Sequence, residues 1–289
     1  MKTIENQILR VQVENHGAEI VSIFDKRNNR ECVWHGDASW WKRHTPILFP
    51  IVGNVWNKTF RINGNEYHLG QHGFARDMDF DCVLESPNSV VFSLKSNEEI
   101  KANYPYDFEL QVCHTLNENK VTTSWKVINT GNTTLPFQIG GHPAYTIPTV
   151  SEDYDSTGKI VLSGNGEYQI TEIGSGGCVK AGSVPFNTNE VEIRRDTFKN
   201  DAIILEEPCP QKYELFDRNG KKVLTFTSAS PAFGIWAPCK DIHTPFVCLE
   251  PWWGRTDRVD YTGEFKDKEY INSVEAGVSL SGEWSVAFE

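Results

Sequence analysis

The sequence predicts an all-β protein of packed antiparallel sheets, and three observations predict it. Strand-period alternation recurs from end to end, Asn-Gly pairs punctuate it, and helical periodicity is nowhere sustained beyond about two turns. Phe108, Leu110 and Val112 show the alternation. So do Val121, Thr123, Trp125 and Val127, set against Thr122, Ser124 and Lys126. Taken in chain order, Asn63-Gly64 between FRI and NEY predicts a two-residue hairpin with positive φ at both centres. The stretch Asn97 to Asn103 is the best of a few short helix candidates, stopped by Tyr104-Pro105. Asn219-Gly220 between LFDR and KKVLTF predicts a second hairpin. A sheet of so many strands curls or splits, so two or more packed sheets are expected. Gly174 to Gly177 is too short for a linker and no repeat period emerges, so residues 1–289 are expected to form a single domain. Two smaller β domains meeting near residues 150 to 180 are the alternative.

Composition narrows the functional classes. Lys plus Arg total 28 against 39 Asp plus Glu, a net charge of -11, so nucleic acid and anionic membrane are not expected as partners. The start lacks a secretory apolar run, and the longest apolar stretch, Pro46 to Val52, is far short of the roughly 18 residues that span a bilayer. A cytoplasmic protein is expected. Seven Cys with no C-x-x-C spacing argue against a disulfide framework and a thiolate zinc site. Phosphate-binding, dinucleotide, zincin and serine-esterase motifs are absent, so no cofactor or metal is expected.

Three segments carry chemistry that strands alone do not need. Gly70-Gln-His72-Gly-Phe-Ala-Arg76 sets a His and an Arg around a Gly, where a ligand can come close and the guanidinium offers a rigid fork of donors. A plain loop with a surface Arg has the same appearance. In Ile139-Gly-Gly-His142-Pro-Ala-Tyr145 the proline biases His142 toward extended backbone and Tyr145 adds a second polar tip. A core His bonded to a backbone carbonyl is the alternative. In Cys248-Leu-Glu250-Pro-Trp-Trp-Gly254 a carboxylate between an apolar run and two Trp is desolvated, which raises its pKa and suits it to accept a proton near neutral pH. A structural ion pair with an Arg is the alternative there. Trp252 and Trp253 are plates suited to a pyranose face, but neighbours on a strand point opposite ways, so at most one is expected to face a ligand. One Glu, two His and an Arg suggest cofactor-free acid/base chemistry on a polyhydroxylated small molecule.

The ordered motifs HGFAR at 72 to 76, GGHPAY at 140 to 145 and LEPWWG at 249 to 254 resemble the aldose 1-epimerase (galactose mutarotase-like) superfamily. Within it, they are closest to the bacterial branch often encoded beside lactose genes. The N-terminal TIENQILRVQVENHGAEIVSI and the segment KNDAIIL at 199 to 205 extend the likeness over nearly the whole chain. The resemblance implies a large antiparallel β-supersandwich that interconverts the α and β anomers of a free hexose such as glucose or galactose. It implies Glu250 as general base, His142 as general acid and His72 as the second, sugar-binding His. The family's sugar-binding Arg follows a Gly ahead of the first His, whereas here Asn54 follows Gly53, so the Arg role is assigned to Arg76. The family's sugar-binding Asp is carried to Asp201.

Two other readings stand beside this one. A hexose-6-phosphate 1-epimerase would need converging cations, for which Lys42, Arg43, Arg76 and Arg255 are the candidates. A sugar-binding protein on the same fold would need neither acid nor base. Either a monomer or a homodimer accommodates all three.

Overall fold

In the computed structural model, which describes residues 1–289, antiparallel pairing between long alternating strands dominates. A nine-stranded sheet runs from an edge at Glu190–Glu192 to an edge at Asp81–Ser86, with Phe108–Asn117, Lys120–Asn129 and Ser279–Phe288 near its middle. The predicted alternation is realised there as strict in-out burial, with Leu110 opposite Val127 and Val112 opposite Trp125. An eight-stranded sheet faces a different problem. Its strand Phe246–Trp253 is buried along almost its whole length, because one face meets the core and the other forms a cleft floor. A four-stranded sheet between Lys2 and Glu31 and two short ribbons complete the all-β sandwich. One hydrophobic cluster of 57 buried residues extends from Ile4 to Phe288.

The predicted punctuation is present, with one difference. Asn63 and Gly64 both take positive φ, 51° and 78°, between the strands Thr59–Ile62 and Asn65–His68. Asn97 caps the helical turn Glu98–Lys101 by accepting from the Ile100 amide at 2.8 Å. The turn at Asn219-Gly220 is wider than two residues, and only Gly220 has positive φ there. Its width comes from Asp217, whose Oδ1 accepts from the amides of Asn219 and Lys221 and replaces the tight hairpin with a side-chain-braced turn. All seven cysteines are unpaired, and no helix is long and apolar enough to cross a membrane.

Trp125 ties the two large sheets together. Its ring lies 5.2 Å from that of Trp253 and 6.2 Å from that of Phe137, in edge-on geometry, and is essentially buried. Trp125→Ala is expected to cost about 3–5 kcal/mol, read as a lower urea midpoint with an unchanged denaturant slope.

Candidate active site

The eight-stranded sheet gathers the chemistry across five neighbouring strands. In spatial order these are Ile203–Glu206, Ala232–Trp236, Phe246–Trp253, Ile139–Gly141 and Ile47–Leu48. Glu250 stands on the central one. Gly140 pairs with Trp252 and Ala144 with Cys248, so the same register, continued through the break at His142-Pro143, sets His142 opposite Glu250. Pro143, which has no amide to donate, interrupts the ladder at this point. His142 Nε2 stands 3.2 Å from Glu250 Oε2, close but not aligned as a hydrogen bond.

His72 arrives from the neighbouring loop, held to Ile47–Leu48 by the bridge between Phe49 and Gly73. Its own φ is +66° and that of Gly73 is +70°. A Cβ at Gly73 would lie 2.2 Å from the Phe49 carbonyl oxygen, so only glycine permits this approach. The His72 amide donates to the Gly53 carbonyl at 2.7 Å, and the Gly53 amide donates back to His72 Nδ1 at 3.1 Å. An acceptor Nδ1 in a neutral ring leaves the proton on Nε2. His72 thus presents a donor, with its ring 5.5 Å from that of His142 and perpendicular to it.

The cleft, of about 310 Å³, is lined by His72, Arg76, His142, Asp201, Glu250 and Trp252 among others. Arg76 donates to the Gln71 carbonyl at 2.7 Å, while its buried Nε makes no hydrogen bond and lies 3.7 Å from an Asp77 carboxylate oxygen. Asp201, at φ +79°, turns one oxygen to the Ala202 amide at 2.7 Å. Two expected residues lie elsewhere. Tyr145 and Trp253 are on the opposite face of their strands from Ala144 and Trp252. Tyr145 packs on Phe226 and Phe288, and Trp253 packs on Trp125 and Trp284. Strand alternation sends each into the core.

Of the four cations considered for a phosphate, only Arg76 lines the cleft. Arg255 is buried behind Thr256 and held by Glu206 and Glu269, Arg43 is paired with Asp77 at 2.9 Å, and Lys42 is exposed. Trp41, Trp236, Gln71 and Thr256, none of them expected as site residues from the sequence, also line the cleft. Trp41 stacks on the His142 ring at 4.7 Å and 25°, and Trp236 meets it edge-on at 5.8 Å. Trp41 sits in a loop whose own Trp-Trp pair was the available signal; its backbone oxygen is pinned by the Trp34 indole N–H at 2.8 Å.

Burial sets the electrostatics. Desolvation raises Glu250 well above the carboxylate range, assisted by the nearby Asp201 carboxylate. The buried Trp252 indole N–H, which makes no aligned bond, pulls the other way. Desolvation pushes His142 down to about 3, with Arg76 and Arg43 adding to the effect. His72 is lowered too, by burial and then by His142, Arg76 and Arg43. The empty site therefore favours a neutral pair, protonated Glu250 beside neutral His142, over two charges taken out of water.

The comparisons with known proteins come to the same place. The family model for aldose 1-epimerase matches residues 2–271. The chain belongs to the aldose 1-epimerase family. It is 32% identical over 284 residues to the chromosomal LacX protein of Lactococcus lactis subsp. lactis, covering 94% of this chain and 93% of that one. Its fold superposes on a galactose mutarotase related enzyme from Lactobacillus acidophilus with a TM-score of 0.94 at 31% identity, over 100% and 97% of the two chains. A galactose mutarotase-like protein from Lactobacillus casei follows with a TM-score of 0.92 at 27% identity, over 100% of both chains.

Two measurements check the electrostatics. Trp41→Ala opens one face of the His142 ring to water, so its titration, followed by NMR of the ring protons, is expected to move from about 3 toward 6.5. Glu250 has a folded pKa above its unfolded value, so the stability it contributes is full below about pH 4.5 and is lost as pH rises toward the folded value. Glu250→Gln is therefore expected to gain stability relative to wild type between pH 4.5 and 7.5. The gain is at most about 1.4 kcal/mol per pH unit, measured by urea unfolding at the two pH values.

Proposed function

We propose that the protein is an aldose 1-epimerase for a free hexose, with Glu250 as general base, His142 as general acid and His72 as an oxygen-binding donor. The observation that carries this reading is the convergence of His72, His142 and Glu250 in one cleft, with His142 and Glu250 3.2 Å apart. Ionised Glu250 takes the proton from the anomeric hydroxyl as the C1–O5 bond breaks, and protonated His142 gives its proton to O5. The open-chain aldehyde then faces neutral His142 and protonated Glu250. That is the charge state the buried site favours, so the two proton transfers of the ring-opening step relieve the desolvation of the charged pair. Rotation about C1–C2 presents the other carbonyl face, and the two groups return their protons in the reverse order.

Around the reacting atoms, the His72 Nε2–H is placed to donate to a sugar oxygen that gains charge. Arg76 and Asp201, on opposite flanks of the cleft, offer a donor and an acceptor for hydroxyls, and Trp252 offers an apolar plate. A single guanidinium lining the cleft and a net charge of -11 favour a neutral sugar over its phosphate.

Polarimetry or NMR exchange of freshly dissolved α-glucose and α-galactose tests the reading. Wild type is expected to accelerate mutarotation, and Glu250→Gln and His142→Gln are each expected to lower the rate by roughly 10²- to 10⁴-fold. Wild-type rates equal to buffer across several aldoses, with hexose still bound, would instead make the protein a sugar binder.

A further inference from the structure

Cys248 stands beside the acid/base pair, and the reaction leaves it idle. It lies two residues before Glu250 on the same strand face and is fully buried among Trp34, Ala144 and Phe246. Ligand atoms of His142, Cys248 and Glu250 all lie within 4.8 Å of one another, with all three residues buried. One atom of the same cluster, Glu250 Oε2, is buried without a hydrogen-bond partner and faces His142 Nε2 at 3.2 Å. Unpaired buried polar atoms are rare and cost about 1–3 kcal/mol each, so the cluster holds unused coordinating capacity.

We propose that His142, Cys248 and Glu250 form an inhibitory site for a borderline-soft divalent cation of the Zn²⁺ and Cd²⁺ type. The donor set is one sulfur, one imidazole nitrogen and one carboxylate oxygen, which suits these ions and not Mg²⁺ or Ca²⁺. Charge also fits. A thiolate and a carboxylate carry two negative charges, the imidazole is neutral, and a divalent ion leaves the buried cluster neutral as a whole. Bonds of about 2.0–2.3 Å set tetrahedral ligand atoms roughly 3.5 Å apart. The His142–Glu250 edge, at 3.2 Å, is already there, and the thiol lies within 4.8 Å of both groups. His142 and Glu250 line the cleft, which supplies the route in and leaves the fourth position facing solvent or a sugar oxygen. Binding displaces protons from the thiol and the carboxyl and occupies the imidazole. On the reaction proposed above it therefore removes acid and base together.

The full-length protein is titrated with Cd²⁺ and followed by the ultraviolet charge-transfer band of a Cd–thiolate bond, which needs no sugar. One ion per chain is expected in wild type and in Cys239→Ser, which lacks the exposed cysteine. The band is expected to vanish in Cys248→Ser. Calorimetry with Zn²⁺ is expected to show at least tenfold weaker binding in His142→Gln and in Glu250→Gln, which keeps the test open should Cys248→Ser not fold. A band that survives Cys248→Ser, affinity untouched by both cleft variants, or no saturable binding overturns the site. Binding without mutarotation of any aldose would reject the epimerase reading and keep the site. Mutarotation by wild type with no Cd²⁺ band would do the opposite. With both present, Zn²⁺ inhibits and a chelator restores the rate.

Discussion

The site depends on the burial of two titratable side chains, His142 and Glu250, whose Nε2 and Oε2 atoms lie 3.2 Å apart. In water, between about pH 4.3 and 6.5, such a pair is an imidazolium and a carboxylate. Here His142 is held down and Glu250 up by the same desolvation, so the charge-separated and neutral forms differ by a proton moved over a short distance and not by net charge. Acid/base chemistry at neutral pH then needs no metal to tune the groups; it needs a dry place in which they face each other.

The fold supplies that place through one strand. Phe246–Trp253 is buried on both faces because the sandwich core takes Val247, Leu249 and Trp253, while Glu250 and Trp252 line the cleft and Cys248 is buried beside Trp34 and Ala144. The adjacent strand breaks at His142-Pro143, directly opposite Glu250, and the broken backbone is secured by the His142 amide donating to Pro46 and the Leu249 amide donating to Pro143. Trp41 and Trp236 close the remaining faces of the imidazole. The arrangement is costly to the fold: His72 at positive φ, buried unpartnered atoms on His142, Glu250, Arg76 and Trp252, and a carboxyl forced into apolar surroundings. Strain and unmet polarity of this kind collect where function requires them.

Much of the fold was legible because period-2 alternation and turn chemistry are local. The Asn63-Gly64 hairpin and the Asn97 cap follow from backbone preferences that need no distant partner. The Asn219-Gly220 turn departs from its expected form because the Asp217 carboxylate outcompetes the tight hairpin, a choice not visible in the dipeptide. At the site, His72, Arg76, His142, Asp201, Glu250 and Trp252 were all anticipated and all line one cleft. Tyr145 and Trp253 were not separable from their neighbours by composition, because which of two adjacent residues faces the core is a question of strand phase.

The residues alone determined an all-β chain, three reactive segments in order and the chemical types they contain. Each rests on short-range physics: alternation, proline and glycine conformations, and the desolvation expected of a carboxylate between apolar neighbours. Tertiary structure decided that His142 falls in register with Glu250 and that the Gly53 amide fixes the tautomer of His72. It also decided that Arg255 is consumed by Glu206 and Glu269, and that Cys248 lies within reach of His142 and Glu250. The placements of His142 and Cys248 depend on segments more than 100 residues apart in sequence meeting at one register, and pairing at that range is set by the packing of the whole sandwich.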